Sequence, residues 1–236
     1  MDAFVQRSRP LPQPIATSQE IRDRGSTFVA RIYHSKTPEE ARSCINYVRD
    51  VVHASKPATH EISAWRCMVP KPGKTGLGGP DDFELKSGNN DDGERWASTR
   101  VMKVMEAQAV IDAVVVVSRW YGGEMLGPIR FTHIETCTFE VCRPFKKKEE
   151  LDDCVLALKT LDDTLAELRR ELADLTAESS DKPSEHSVRT STKTPDYSTF
   201  TDSDLPKAKR LVLARERAVT SVKNMIAKRR AAIEIT

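Results

Sequence analysis

The 236-residue chain is 39% hydrophobic, about 42% if Gly is counted in place of Tyr, and 31% charged, against globular averages of roughly 45–50% and ~25%. Part of it must therefore lie outside a packed core. The balance of 37 basic and 35 acidic side chains excludes a bulk polyanion binder, and no run of about 18 apolar residues offers a bilayer span.

All ten Gly lie between Gly25 and Gly127, and eleven of fourteen aromatic residues lie between 25 and 145. Turns need Gly and cores need large side chains, so a compact domain is expected over 25–145. Residues 1–24, with Arg7, Arg9, Pro10, Pro12 and Pro14, read as a disordered arm without the apolar segment of a leader, which points to a cytoplasmic protein.

From Ser26 the alternation of Phe28, Ala30 and Ile32 with smaller or polar residues predicts a strand. Thr37, Pro38 and Glu40 form a capping box ahead of a helix that reaches about Ala54 on the stripe Ala41, Cys44, Ile45, Val48, Val51 and Val52. Glu61–Val69 is a second strand. The breaker-rich stretch 70–90 reads as a flexible insertion hiding at least one short strand. Its Gly73-Lys74-Thr75 is not a phosphate loop, because that motif needs Gly where Met68 stands.

After Asp91-Asp92-Gly93-Glu94 a helix carries Ala97, Val101, Val104, Met105 and Ala109 on one side. The β-branched run Val114–Val117 predicts a central strand buried on both faces. A last helix begins at Pro128 and is interrupted by Pro144.

Beyond it, Leu151, Leu158, Leu165 and Leu172 recur every seven residues, with Cys154, Leu161, Leu168 and Leu175 in the other seam position, predicting a coiled-coil helix over 146–178. Residues 179–204 include twelve Ser or Thr and read as a disordered linker. A basic amphipathic helix over 205–236 follows, with Leu205, Val212, Val219, Ile226 and Ile233 at heptad spacing. Residues 151–178 hold eight acidic and three basic side chains, and 207–230 hold nine basic and one acidic. The two helices are expected to close as an antiparallel hairpin or to dock a partner, with self-association or nucleic-acid binding as further readings.

Chemistry-bearing residues are few. Cys44, Cys67, Cys137, Cys142 and Cys154 are an odd set without a CxxC and read as buried free thiols. Asp91, Asp92 and Glu94 lack an EF-hand spacing; helix capping, with Asp92 as acceptor, is the favoured role and no metal is expected. His60 has no paired nucleophile in the sequence, so no catalytic residue and no cofactor is assigned, and the chain reads as a non-enzyme.

One segment identifies a family. Ser118-Arg119-Trp120-Tyr121-Gly122-Gly123-Glu124-Met125-Leu126-Gly127-Pro128-Ile129-Arg130-Phe131 closely resembles the signature of the Impact family, regulators of general amino-acid control. Ala58-Thr59-His60-Glu61-Ile62-Ser63-Ala64-Trp65-Arg66 and the acidic turn Asp91-Asp92-Gly93-Glu94 resemble two further family stretches, in the right order. The likeness covers roughly residues 25–143, without the N-terminal domain usual in eukaryotic members. After the acidic turn, Arg95-Trp96 stands where the family usually has small residues.

The resemblance implies a two-layer α/β sandwich related to a ribosomal small-subunit protein domain, with helices on one side of a mixed sheet. It also implies a partner: the ribosome-associated activator of the general-control kinase, bound in competition with that kinase, so that less translation initiation factor is phosphorylated. A ribosome- or RNA-associated module is the alternative.

Read from the residues, Gly122 and Gly123 permit an unusual turn and Gly127-Pro128 opens a helix whose free N–H groups, with Arg119 and Arg130, would surround a phosphate or a partner's carboxylate. Equally, Trp120, Tyr121 and Phe131 would be packing groups and the arginines would pair with Asp91, Asp92 or Glu94. Protein docking, phosphate binding and plain packing all stay open.

Overall fold

The computed structural model describes residues 11–177 and 195–233. The chain divides after Lys146 into two compact units.

In the first unit, the short strands β1 (Ala16–Thr17) and β2 (Ile21–Asp23) both pair with β3 (Ser26–His34). Residues 11–24 are therefore not wholly a disordered arm; residues 1–10 lie outside the described part. Helix α1 (Pro38–Tyr47) starts as its sequence demands: Thr37 Oγ1 accepts from Glu40 N–H at 3.2 Å. The Glu40 carboxylate reaches one residue further back than a capping box requires, to Lys36 N–H at 2.8 Å. The α-helix gives way at Val48 to a π-type turn, Val48–Val52, rather than running to Ala54.

Strands β4 (His60–Pro70), β5 (Phe83–Asn90) and β6 (Ala113–Trp120) complete the sheet, with α2 (Ala97–Ala107) between β5 and β6. The order is β1-β3-β6-β4-β5, and every pair is antiparallel, not mixed. β5 takes up the second half of the expected insertion; it runs beside Ser63–Pro70 of β4 as an edge strand.

β6 lies between β3 and β4, and Val114–Val117 are fully buried. Val115 and Val117 join Phe28, Ala30, Ile32 and Ile62 beneath α2 and helix α3 (Ile129–Ala177), which supply Val101, Met105, Ile134, Cys137, Val141 and Phe145. Val114 and Val116 face the other way, against Tyr33 and the α1 side chains Ala41 and Cys44. The α/β arrangement of sheet and helices is as expected, but helices cover both faces of the sheet and not one side alone. An unbroken β-branched run demands this, because a strand with one wet face alternates.

Pro144 does not end α3, although a proline removes one helical hydrogen bond. Its neighbours Val141, Cys142 and Phe145 are fully buried, and that packing opposes a break.

The second unit holds the remainder of α3 and helix α4 (Leu205–Ile233). Leu165, Val219, Val222 and Ile226 form its buried cluster, flanked by Leu161, Leu168, Leu172 and Leu175. Cross-helix ion pairs join Glu150 to Lys209 at 2.6 Å, Asp162 to Arg215 at 2.5 Å and Glu171 to Arg230 at 2.6 Å. Both members advance along their helices together, so α3 and α4 run parallel. The expected antiparallel hairpin is wrong.

Two physical reasons explain the difference. One helix is acidic and the other basic along their whole lengths, so charge attraction is indifferent to direction. A connection of about 27 residues can reach roughly 90 Å, ample to return along a helix segment of about 40 Å.

Of the expected linker, residues 178–194 lie outside the described part. Residues 195–204 are placed: Tyr197 is buried, its hydroxyl donates to Asp162 Oδ2 at 2.5 Å, and Asp202–Asp204 form a 3₁₀ turn capped by Thr201. Burial, then the bond to Asp162, raises the Tyr197 pKa.

Candidate functional site

β6 alternates as it leaves the core. Ser118 and Trp120 point toward α1's side of the sheet, and Arg119 between them points to the side of α2 and α3, where its guanidinium lies 5.4 Å from the Phe28 ring and 5.7 Å from that of Tyr121. The turn that follows runs against β3's start: a Cβ on Gly122 would come within 2.0 Å of the Gly25 carbonyl carbon, so no other residue fits. Gly123 and Gly127 supply positive φ angles of 89° and 62°, and Pro128 leads into α3.

The turn between β5 and α2 places Glu94 opposite. This carboxylate is buried, yet it holds the buried Arg119 through Nη1 and accepts from Arg130 Nε at 2.7 Å. Arg130 Nη1 also donates to Gly127 O at 2.7 Å, and its guanidinium stacks 4.2 Å from the Phe131 ring. His60, at the start of β4, has Nδ1 2.8 Å from Asp92 O, which makes that nitrogen the donor, and its Nε2 is 3.7 Å from Glu94 Oε2. Arg119 Nε is buried without an acceptor among the described residues.

The structure therefore brings Arg119, Arg130 and Glu94 together, and the negative charge between the arginines is the protein's own. A cleft of about 370 Å³ opens above them, walled by Thr59, Tyr121, Met125, Leu126 and Gly127.

The other acidic residues act on the backbone. Asp91 caps α2 at a distance: Oδ1 accepts from Ser98 N–H at 2.8 Å and Ser98 Oγ–H at 2.6 Å, and Oδ2 accepts from Trp96 N–H at 2.9 Å. Burial alone would raise the Asp91 pKa, but these bonds outweigh it and hold the group below its ordinary value. Asp92, expected in the capping role, instead accepts from Glu61 N–H at 2.7 Å, so it ties the turn to β4. Among the described residues no three His, Cys, Asp or Glu side chains are placed to hold a metal ion.

Trp120 and Phe131 do not line the cleft. Phe131 leans on the core. Trp120 lies on the opposite face, its ring 4.8 Å from His53, over a buried chain that sequence reading missed. His53 Nδ1 is 2.5 Å from Glu61 Oε1, Ser118 Oγ donates to Glu61 Oε2 at 2.6 Å, and Arg31 Nη1 is 3.0 Å from His53 Nε2. Arginine can only donate, so Nε2 accepts and the Nδ1–H donates to Glu61. The sequence marks only two of its members, His53 after Val51-Val52 and Ser118 at the end of the Val114–Val117 run, and nothing around Glu61 joins them.

The family model described as the Impact N-terminal domain matches residues 24–142. Protein IMPACT of Oryctolagus cuniculus is 36% identical over 124 residues, 52% of this chain and 36% of the relative. The Protein IMPACT homolog of Saccharomyces cerevisiae is 34% identical over 123 residues, 52% of this chain and 43% of the relative. The match thus spans less than half the length of either. Among solved structures, that of the two-domain translational regulator Yih1 is 33% identical, covering 54% of this chain and 46% of that one with a TM-score of 0.36. A hypothetical protein is 24% identical over 58% of this chain and 60% of its own, with a TM-score of 0.41.

Proposed function

Because the chain belongs to the Impact family, we propose that it is a non-enzymatic, cytoplasmic regulator of translation that docks the ribosome-associated activator of the general amino-acid control kinase. By occupying the activator it would limit phosphorylation of a translation initiation factor. One observation carries the reading: the three stretches that resemble the family, 60–130 residues into the chain and far apart in sequence, meet at a single cleft.

That cleft has the composition of a docking site. Its floor is charged and rigid, since Glu94 is already shared between Arg119 and Arg130. Its rim exposes apolar surface, with Tyr121 43% and Met125 79% exposed. Arg and Tyr over a desolvated floor are typical of interface hot spots. A free phosphate has less to gain there, because the carboxylate of Glu94 occupies the space between the cations. The RNA-associated alternative has somewhat weaker support, as three of the nine basic side chains over 207–230, Lys209, Arg215 and Arg230, are engaged by acids of α3. No described helix is long and apolar enough to cross a membrane.

The test is capture of the activator by the full chain and by its Tyr121→Ala/Met125→Ala variant. Both substitutions sit on the exposed rim, so the fold is retained. Binding by the wild type and its loss in the variant support the reading; no binding by the wild type rejects it.

A further inference from the structure

We propose that Trp96 is a partner-facing anchor, forced outward by the acidic turn to enter an apolar cavity of the docked protein whose border carries carboxylates. The inference rests on the docking reading above and deepens it.

Trp96 sits at φ 72°, ψ 0°, in the left-handed region, immediately before α2. That conformation is strained for any residue with a Cβ and an outlier for one this large. Packing does not compensate, because the residue is 60% exposed, and its side chain caps no helical N–H.

The conformation is nonetheless over-determined. Asp91 accepts from Trp96 N–H and, beyond it, from Ser98; Glu94 N–H donates to Asp91 O at 2.9 Å; and Ala97 N–H donates to Glu94 O at 3.0 Å. Ala97 and Ser98 are buried. The turn leaves Trp96 no other course, and strain held in place by its surroundings is found where function needs it.

Position and charge indicate what the indole meets. Two residues away, Glu94 forms the floor of the docking cleft, so anchor and cleft are fixed to one turn. The Arg95 guanidinium lies 5.0 Å from the indole ring, placing a cation beside the apolar surface. A matching cavity is therefore apolar inside and acidic at its edge.

The experiment measures two properties of the full chain with opposite expected outcomes. Replacing a packed tryptophan lowers the melting temperature sharply, whereas Trp96→Gly should leave it unchanged or raise it by a few degrees, since Gly accepts a positive φ. Affinity for the ribosome-associated activator should fall about thirtyfold or more, as for a hot-spot residue. Trp96→Phe should restore much of the loss, and Arg95→Glu should weaken binding with the indole intact. Trp96→Gly binding within about threefold of the wild type, or melting some ten degrees lower, would overturn the role of Trp96 alone. A wild-type chain that does not bind the activator overturns the docking reading and this inference together.

Discussion

Glu94→Ala removes the carboxylate between Arg119 and Arg130, and its cost follows from burial. Arg119 and Glu94 each expose only 6% of their side chains, and Arg119 Nε already lacks an acceptor among the described residues. Without Glu94 a guanidinium is left buried and unpaired, a defect worth about 3–5 kcal/mol. Arg130, with 26% of its side chain exposed, adds less than Arg119 because water can reach it once Glu94 is gone. At about 3 °C per kcal/mol for a unit of this size, the melting temperature should drop by roughly 10 °C.

Tryptophan fluorescence is the suitable assay, because Trp65, Trp96 and Trp120 all belong to the first unit and report on it alone. Glu94→Met/Arg119→Met, which removes both charges, should recover at least half the loss. A shift below about 3 °C for Glu94→Ala, or a double variant worse than the single one, would refute the idea that this pair is a desolvated structural element.

Further expectations concern other parts of the molecule. Gly122→Ala should destabilise the first unit by several degrees, since its Cβ would meet the Gly25 backbone and Ser26 N at 2.0–2.4 Å; an unchanged melting curve contradicts this contact. Cysteines placed at Leu168 and Val222 should form a disulfide on oxidation if α3 and α4 are parallel, and a pair at Leu151 and Ile226 should not; the reverse result restores the antiparallel hairpin. Burial raises the pKa of Cys44 and Cys137 from 9.0 to about 11, of Cys142 from 9.0 to about 12 and of Tyr33 from 10.0 to about 12. Each stabilises fully below its unfolded pKa and ceases to as the folded value is passed, so denaturant midpoints should fall between pH 9 and 12. Thiol titration at pH 8 should accordingly find only Cys154 reactive before unfolding; fast labelling of two or more thiols would contradict the packing.

Elements with strong side-chain periodicity were legible in the sequence. Phe28, Ala30 and Ile32 mark β3, Val114–Val117 mark a strand covered on both faces, and Thr37-Pro38 marks the start of α1. β5 was obscured because an edge strand that carries Glu84, Lys86, Ser87, Asn89 and Asn90 has no apolar signature, and Gly88 looks like a breaker. Gly88 is there because any Cβ would strike the Trp65 ring at 2.5 Å. β1 and β2 are two and three residues long, too short for periodicity, and exist by pairing with β3.

The heptads revealed a coiled coil but not its direction. The heptad residues of both helices, Leu165, Val219, Val222 and Ile226, share one buried cluster flanked by Leu161, Leu168, Leu172 and Leu175, which either direction would allow, and opposite net charge on the two helices hides the choice. At the site, Arg119, Arg130 and Glu94 were legible as types but not as one network, since pairing was one of several readings. The His53-Glu61-Ser118 chain was not legible, as its members meet only through the β4–β6 register that sets Glu61 opposite Ser118.

The central claim is that this chain takes the activator away from the kinase. Purified activator held in complex with the kinase should release it in a dose-dependent way when the full chain is added, and the Tyr121→Ala/Met125→Ala variant should release far less. Kinase that stays bound at saturating chain would contradict the claim.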